Sequence, residues 1–143
     1  MESDQDDEHY LVRRHAHCIT MLNLYPYNSG HLLIVPYLHT SSYHELSREA
    51  YGEMTEVVRD WLTVLQEVMH PQGFNVGSNI GRVGGAGIDQ HIHMHIVPRW
   101  NGDANFMPVI GDTKVISESL HDTMIKLRKG FEALPSPLSA LNG

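Results

Sequence analysis

The chain has 143 residues, 41% hydrophobic and 19% charged, which suits one domain that can bury a core without disulfides or structural metal. A formal net charge of −7 excludes a general nucleic-acid binder, which needs a basic face to displace counterions. No apolar run approaches a membrane span, and the one cysteine, Cys18, leaves no intramolecular disulfide and fits a reducing compartment, the cytosol.

The first residues, MESDQDDEH, place five acids within positions 2–8, where a signal peptide would be basic and then apolar. Residues 1–9 read as a solvated tail and residues 135–143 as another, flanking a single domain within 1–143. Tyr10–Arg14 and Ala16–Leu22 read as short strands, followed by the turn-rich loop Asn23–Gly30. His31–Pro36 is almost wholly apolar and reads as a strand buried on both faces and stopped by proline. Ser42 with Glu45 resembles a capping box opening a helical turn, and Ser47 a second N-cap. Met54, Val57, Val58, Trp61, Leu65, Val68 and Met69 then form one apolar stripe at helical spacing, a core face, ended by Pro71. Gly73–Asn79 reads as a strand, Gly81–Gly87 as a loop and His91–Val97 as a strand. Ile116, Leu120, Thr123, Leu127 and Phe131 mark a last helix, with Lys126, Arg128 and Lys129 near its C-terminus, where positive charge suits the dipole. The order β-β-β-α-β-β-α predicts an α+β domain with two helices and a mostly antiparallel sheet of about five strands.

The run Asp89-Gln90-His91-Ile92-His93-Met94-His95-Ile96-Val97-Pro98-Arg99-Trp100 carries the chemistry. On a strand His91, His93 and His95 share one face, and Ile92, Met94 and Ile96 share the other. One zinc could take two such histidines, but at roughly 3.3 Å per residue His91 and His95 are roughly 13 Å apart, too far for bonds of about 2 Å to a common ion. With no CxxC or HxxxH, metal binding needs ligands from elsewhere, and no metal is expected. The alternative gives the imidazoles separate roles at one reacting centre, one as nucleophile and a neighbour as proton carrier. Gly84-Gly85-Ala86-Gly87, just upstream, lets backbone N–H groups approach a phosphate, although it is not a Walker loop. Glycines feeding into histidines point to phosphoryl or nucleotidyl transfer.

His91-Ile92-His93-Met94-His95-Ile96-Val97 resembles the H-φ-H-φ-H-φ-φ signature of the histidine triad (HIT) superfamily of nucleotide hydrolases and transferases. The likeness extends upstream over residues 22–36 and 75–87. The downstream run Pro98-Arg99-Trp100-Asn101-Gly102-Asp103-Ala104-Asn105-Phe106 is similar to bacterial members that split diadenosine tetraphosphate. The resemblance implies a homodimer whose two sheets join into ten strands, and covalent catalysis in which His93 attacks an α-phosphate. It further implies that His95 passes a proton to the leaving group and that His91 and His31 orient the site. Asn23 would bind ribose, and Asn79 with the backbone of Gly85, Ala86 and Gly87 would bind phosphate. Trp100 would stack on adenine or pack in the dimer. His95, where the uridylyltransferase branch has glutamine, disfavours that branch.

The expected ligands are small nucleotides (AMP, ADP, ATP or a diadenosine polyphosphate), with no nucleic-acid or membrane partner. No tightly bound cofactor is expected; Mg2+ would enter with a polyphosphate substrate. Phosphorolysis of diadenosine tetraphosphate is the leading expectation, with Arg82 or Arg99 as candidates to hold phosphate. The alternatives are hydrolysis of dinucleoside polyphosphates or AMP phosphoramidates, a nucleotide-binding signalling module, and a metal-dependent hydrolase.

Overall fold

A computed structural model describes residues 4–24, 29–86, 91–103 and 119–135. In chain order these form α1 (Asp4–Glu8), β1 (Leu11–Arg14), β2 (Cys18–Leu22), β3 (Leu32–Pro36), a 3-10 turn at Tyr43–Glu45, α2 (Arg48–Met69), β4 (Gly73–Gly77), β5 (Met94–Arg99) and α3 (Leu120–Glu132). The strands make one sheet in the order β1-β2-β3-β5-β4, antiparallel at every pairing. The α+β reading holds, with three helices among the described residues rather than the two expected.

The expected apolar stripe and caps shape α2. The Ser47 side chain accepts the Ala50 N–H at 3.0 Å, and His70, at φ 53°, closes the other end by returning its N–H to Gln66 O. Met54, Val57, Trp61 and Leu65 are fully buried against Leu22, Leu32, Ile34 and Ile96 of the sheet and Leu127 and Phe131 of α3. Each such side chain contributes about 1.5–3 kcal/mol by leaving water. The α3 helix starts at the Ser119 cap; Ile116 lies outside the described residues.

Both helices cover the same sheet face, so burial alternates along the strands: Cys18, Thr20 and Leu22 on β2 and Leu32, Ile34 and Pro36 on β3 are buried. The expectation of a β3 buried on both faces fails here. Leu33 and Val35 are half-buried and paired with Met21 and Ile19 on a face that neither helix covers. Ser42 makes no side-chain cap; Glu45 instead accepts from the Thr40 hydroxyl, removing the expected capping box.

The acidic N-terminus is also corrected. Asp6 is 2% exposed and binds Arg14 at 2.6 and 3.1 Å, while Asp7 pairs with Arg128 at 2.8 Å. These partners turn a like-charge run into a docked helical turn. Cys18 is buried beneath α2, where Glu53 accepts from its Sγ (3.4 Å) and from His17 N (2.6 Å). Burial, reinforced by the Glu53 charge, pushes the thiol well above its ordinary range, so Cys18 is an inert core residue. Behind it, Thr20 Oγ1 accepts Trp61 Nε1–H at 2.9 Å and meets His15 Nε2 at 3.0 Å. One hydroxyl thus serves two rings, accepting from the indole and pairing with the imidazole.

Candidate active site

The uncovered sheet face carries the polar groups. Asn23 follows β2 and takes its backbone N–H to His31 O at 2.9 Å, extending the β2–β3 ladder by one step. That step sets Asn23 Nδ2 3.1 Å from His31 Nδ1. On the other side, the β3–β5 register pairs Leu33 with His95 and puts His31 Nε2 3.2 Å from His95 Nδ1. The His93 ring meets the His95 ring edge-on, with centroids 4.8 Å apart at 78°. A cleft of about 360 Å³ opens beside His31 and His95, lined also by Asn75, Gly77, Ser78, Asn79 and Val97.

The contacts give each ring a tautomer. Asn23 Nδ2 can only donate, and it lies 3.1 Å from His31 Nδ1 and 3.4 Å from His31 Nε2; with the nearer nitrogen accepting, His31 Nε2 carries the hydrogen given to His95 Nδ1. His95 then holds its own hydrogen on Nε2. His93 runs the other way: its Nδ1 lies 2.9 Å from His91 O and must donate, leaving the Nε2 lone pair exposed. Burial, then the neighbouring His95 and His93, pull the His31 pKa down to about 4. Burial and His93 also lower that of His95. Neutral rings are what this donor chain requires. The face thus sets a lone-pair nitrogen beside an N–H donor, the pair of groups that group transfer to and from an oxygen needs.

Not every expected residue is gathered here. The β5 strand begins at Met94, not at His91, because Ile92 N–H donates to Thr40 O (2.8 Å) and His93 O accepts from Ser78 Oγ (2.6 Å). The His91 ring has its own partners, with Nε2 2.9 Å from Leu38 O and the ring 4.7 Å from that of His39, whereas the His93 and His95 rings meet each other. What orients His93 is the carbonyl of His91, a backbone atom that ring spacing could not reveal. Trp100 is not brought to the triad within one chain. By the roughly 3.3 Å rise of a strand, it lies roughly 16 Å along the chain from His95.

The glycine loop also departs from expectation. Gly84 N and Ala86 N donate to Gly81 O (3.1 and 2.9 Å) and Gly85 N to Arg82 O (3.0 Å), so these hydrogens close a turn rather than face a phosphate. Gly87 lies outside the described residues. Gly85, at φ +99°, packs over Asn79: a Cβ there would be 3.4 Å from Asn79 Nδ2. Arg99 is engaged by both carboxylate oxygens of Asp103 (3.0 and 2.9 Å) and by Asn75 Oδ1 (2.6 Å), and Arg82 is exposed on the turn. Sequence reasoning missed Asn75 and Ser78, which carry no local signal beyond their place beside Asn79.

The family model of the HIT domain matches residues 5–102, well over half of the chain. The chain belongs to the HIT family. This HIT chain is 43% identical over 118 residues to a Mycobacterium tuberculosis protein named AP-4-A phosphorylase, covering 82% of the chain but only 60% of that relative's length. A fission-yeast (Schizosaccharomyces pombe) relative named adenosine 5'-monophosphoramidase is 31% identical over 83 residues, 58% of this chain and 59% of its own. Among solved structures, a hypothetical histidine triad nucleotide-binding protein from Sulfolobus tokodaii superposes with a TM-score of 0.72 at 25% identity. That likeness covers 91% of this chain and 88% of the other. The HIT fold expected from the sequence is the fold observed.

Proposed function

We propose that the chain is a nucleotidyl hydrolase/transferase that cleaves dinucleoside polyphosphates, diadenosine tetraphosphate above all, through a nucleotidyl-histidine on His93. One observation carries this reading: the free Nε2 lone pair of His93 beside the Nε2–H of His95. His93 Nε2 attacks the α-phosphorus, the bond to the bridging oxygen breaks, and its electron pair stays on that oxygen with the proton from His95. From diadenosine tetraphosphate the leaving group is ATP and the intermediate is AMP on His93. A phosphate oxygen then attacks the same phosphorus, the P–N bond breaks back to His93, and ADP departs. A module that only binds nucleotides would need no such pair.

The uncovered face supplies the binding groups of this scheme. Ile19, Met21, Leu33 and Val35 offer an apolar strip for the purine, Asn23 lies at the ribose end and Asn79 beside the phosphates. Both halves of the reaction use imidazole, so no resident cofactor is required, and Mg2+ would accompany the polyphosphate. Trp100, distant from its own triad, would serve across a homodimer in which β4 edges pair to make ten strands. No described helix is long and apolar enough to cross a membrane, and we place this nucleotide enzyme in the cytoplasm on the reading of its chemistry.

The similarity to the mycobacterial phosphorylase supports phosphate as acceptor. A second reading, in which water is the acceptor and phosphoramidates are also cut, is favoured by Arg99 being held by Asp103 and by the internal bonding of the glycine turn. Product analysis across a phosphate titration tests the choice. ADP plus ATP rising with phosphate is expected; AMP plus ATP at every concentration makes the enzyme a hydrolase.

A further inference from the structure

We propose that Ser78 and Tyr43 are positioning residues for His93, holding the peptide that carries it through two hydrogen bonds of fixed direction; this rests on His93 being the nucleophile. Residues 91–93 precede β5 and have no strand partner in the described ladders, which reach only Met94 on one side and His95 on the other. Their backbone is held by other means: Thr40 O takes the Ile92 N–H at 2.8 Å, and Ser78 Oγ donates to His93 O at 2.6 Å. A serine hydroxyl has one hydrogen. With it committed to His93, the short contact between Tyr43 OH and Ser78 Oγ must have tyrosine as donor. The sequence of donation is Tyr43 to Ser78 to the His93 carbonyl.

Tyr43 is itself anchored. It sits in the 3-10 turn before α2, half-buried, with its ring edge-on to Tyr51 of α2 at 5.9 Å. Burial raises the pKa of its phenol, which stays in the donating form. The aim of the His93 ring depends on two backbone points, the His91 carbonyl that takes its Nδ1–H and its own peptide. Ser78 fixes the second point and is the residue before Asn79, so one hydroxyl ties the nucleophile to the proposed phosphate contact.

The test is Ser78→Ala, Ser78→Thr, Tyr43→Phe and the Ser78→Ala/Tyr43→Phe pair, read by turnover, by melting temperature and by ring-15N NMR of His93 without substrate. A lost positioning bond displaces the nucleophile slightly, so Ser78→Ala is expected to lower kcat about tenfold with KM within about twofold. Threonine restores the rate, and the double variant is no worse than Ser78→Ala, because both changes break one chain. NMR is expected to show the Nδ1–H tautomer in the wild type and a mixture in Ser78→Ala. An unchanged His93 signal in Ser78→Ala, or losses that multiply in the double variant, overturns the proposal. A shifted tautomer in a protein whose His93→Asn variant still turns over would keep the positioning and sink the nucleophile reading. If Ser78→Ala does not fold, Tyr43→Phe carries the same NMR test.

Discussion

His31 Nε2 lies 3.2 Å from His95 Nδ1, and with Asn23 behind it this contact decides which nitrogen of His95 faces the cleft with a hydrogen. Asn23→Asp inverts the chain: a carboxylate can only accept, so His31 donates from Nδ1 and His95 loses its outward N–H. General acid catalysis contributes about 10²–10⁴-fold, so turnover with a poor leaving group should fall about 10²-fold. An activated leaving group, which needs no proton, should lose far less. Equal losses on both substrates would refute the assignment of His95 as acid.

His93→Asn removes the attacking nitrogen and leaves the cleft. Turnover should drop on the order of 10³-fold or more, with AMP affinity changed only a few-fold, as measured by calorimetry. Acid-quenched wild-type enzyme should carry a nucleotidyl adduct that the variant lacks. Near-normal turnover by the variant would end the covalent reading.

Thr20→Val replaces the hydroxyl shared by Trp61 and His15 with a methyl group. It strands a buried indole N–H, and the expected cost is about 2–3 kcal/mol in urea denaturation. A loss under about 0.5 kcal/mol would show that the hydroxyl is dispensable.

His15 also predicts acid sensitivity. Burial lowers its pKa from 6.5 to about 4 in the folded chain, so between these values the unfolded chain binds a proton that the folded one refuses. Stability is therefore fully present above pH 6.5 and declines as pH falls toward 4, by at most about 1.4 kcal/mol per unit for this ring. His31 adds less, being half open to solvent. His15→Gln should flatten the decline in melting temperature between pH 7 and 5; a parallel decline would remove His15 as its source.

Gly84→Ala would place a Cβ 2.3 Å from Ile80 O, a backbone atom that cannot swing aside. The turn must open, displacing Ile80 and its neighbour Asn79. KM for the dinucleotide should rise several-fold, while the melting temperature, set by a core far from this exposed turn, stays within a few degrees. An unchanged KM would show that the turn does not set Asn79.

Where the determinants are local, the sequence showed them. Ser47, the stripe from Met54 to Leu65 and Pro71 delimit α2 because caps and helical spacing act over a few residues. The triad was legible for the same reason. Where the partner is remote, the reading failed. Asp7 gains its meaning from Arg128, 121 positions away, so an acid run looked like a tail. His91 and His93 alternate like strand residues, yet Thr40 takes the N–H of Ile92 between them and Ser78 binds the carbonyl of His93. Alternation gives a side chain's parity, not its backbone's partner.

The Arg128 guanidinium reaches across to Leu11 O at 2.6 Å and Val12 O at 3.3 Å, so two carbonyls of the border strand β1 already have a side-chain donor. The sheet's other border, β4, has no such cover among the described residues. A sheet with two open borders can add copies at both and grow into a fibre, whereas one sealed border leaves a single site of addition. In the homodimer proposed above, strand pairing would then run border to like border about a twofold axis and would stop at two copies.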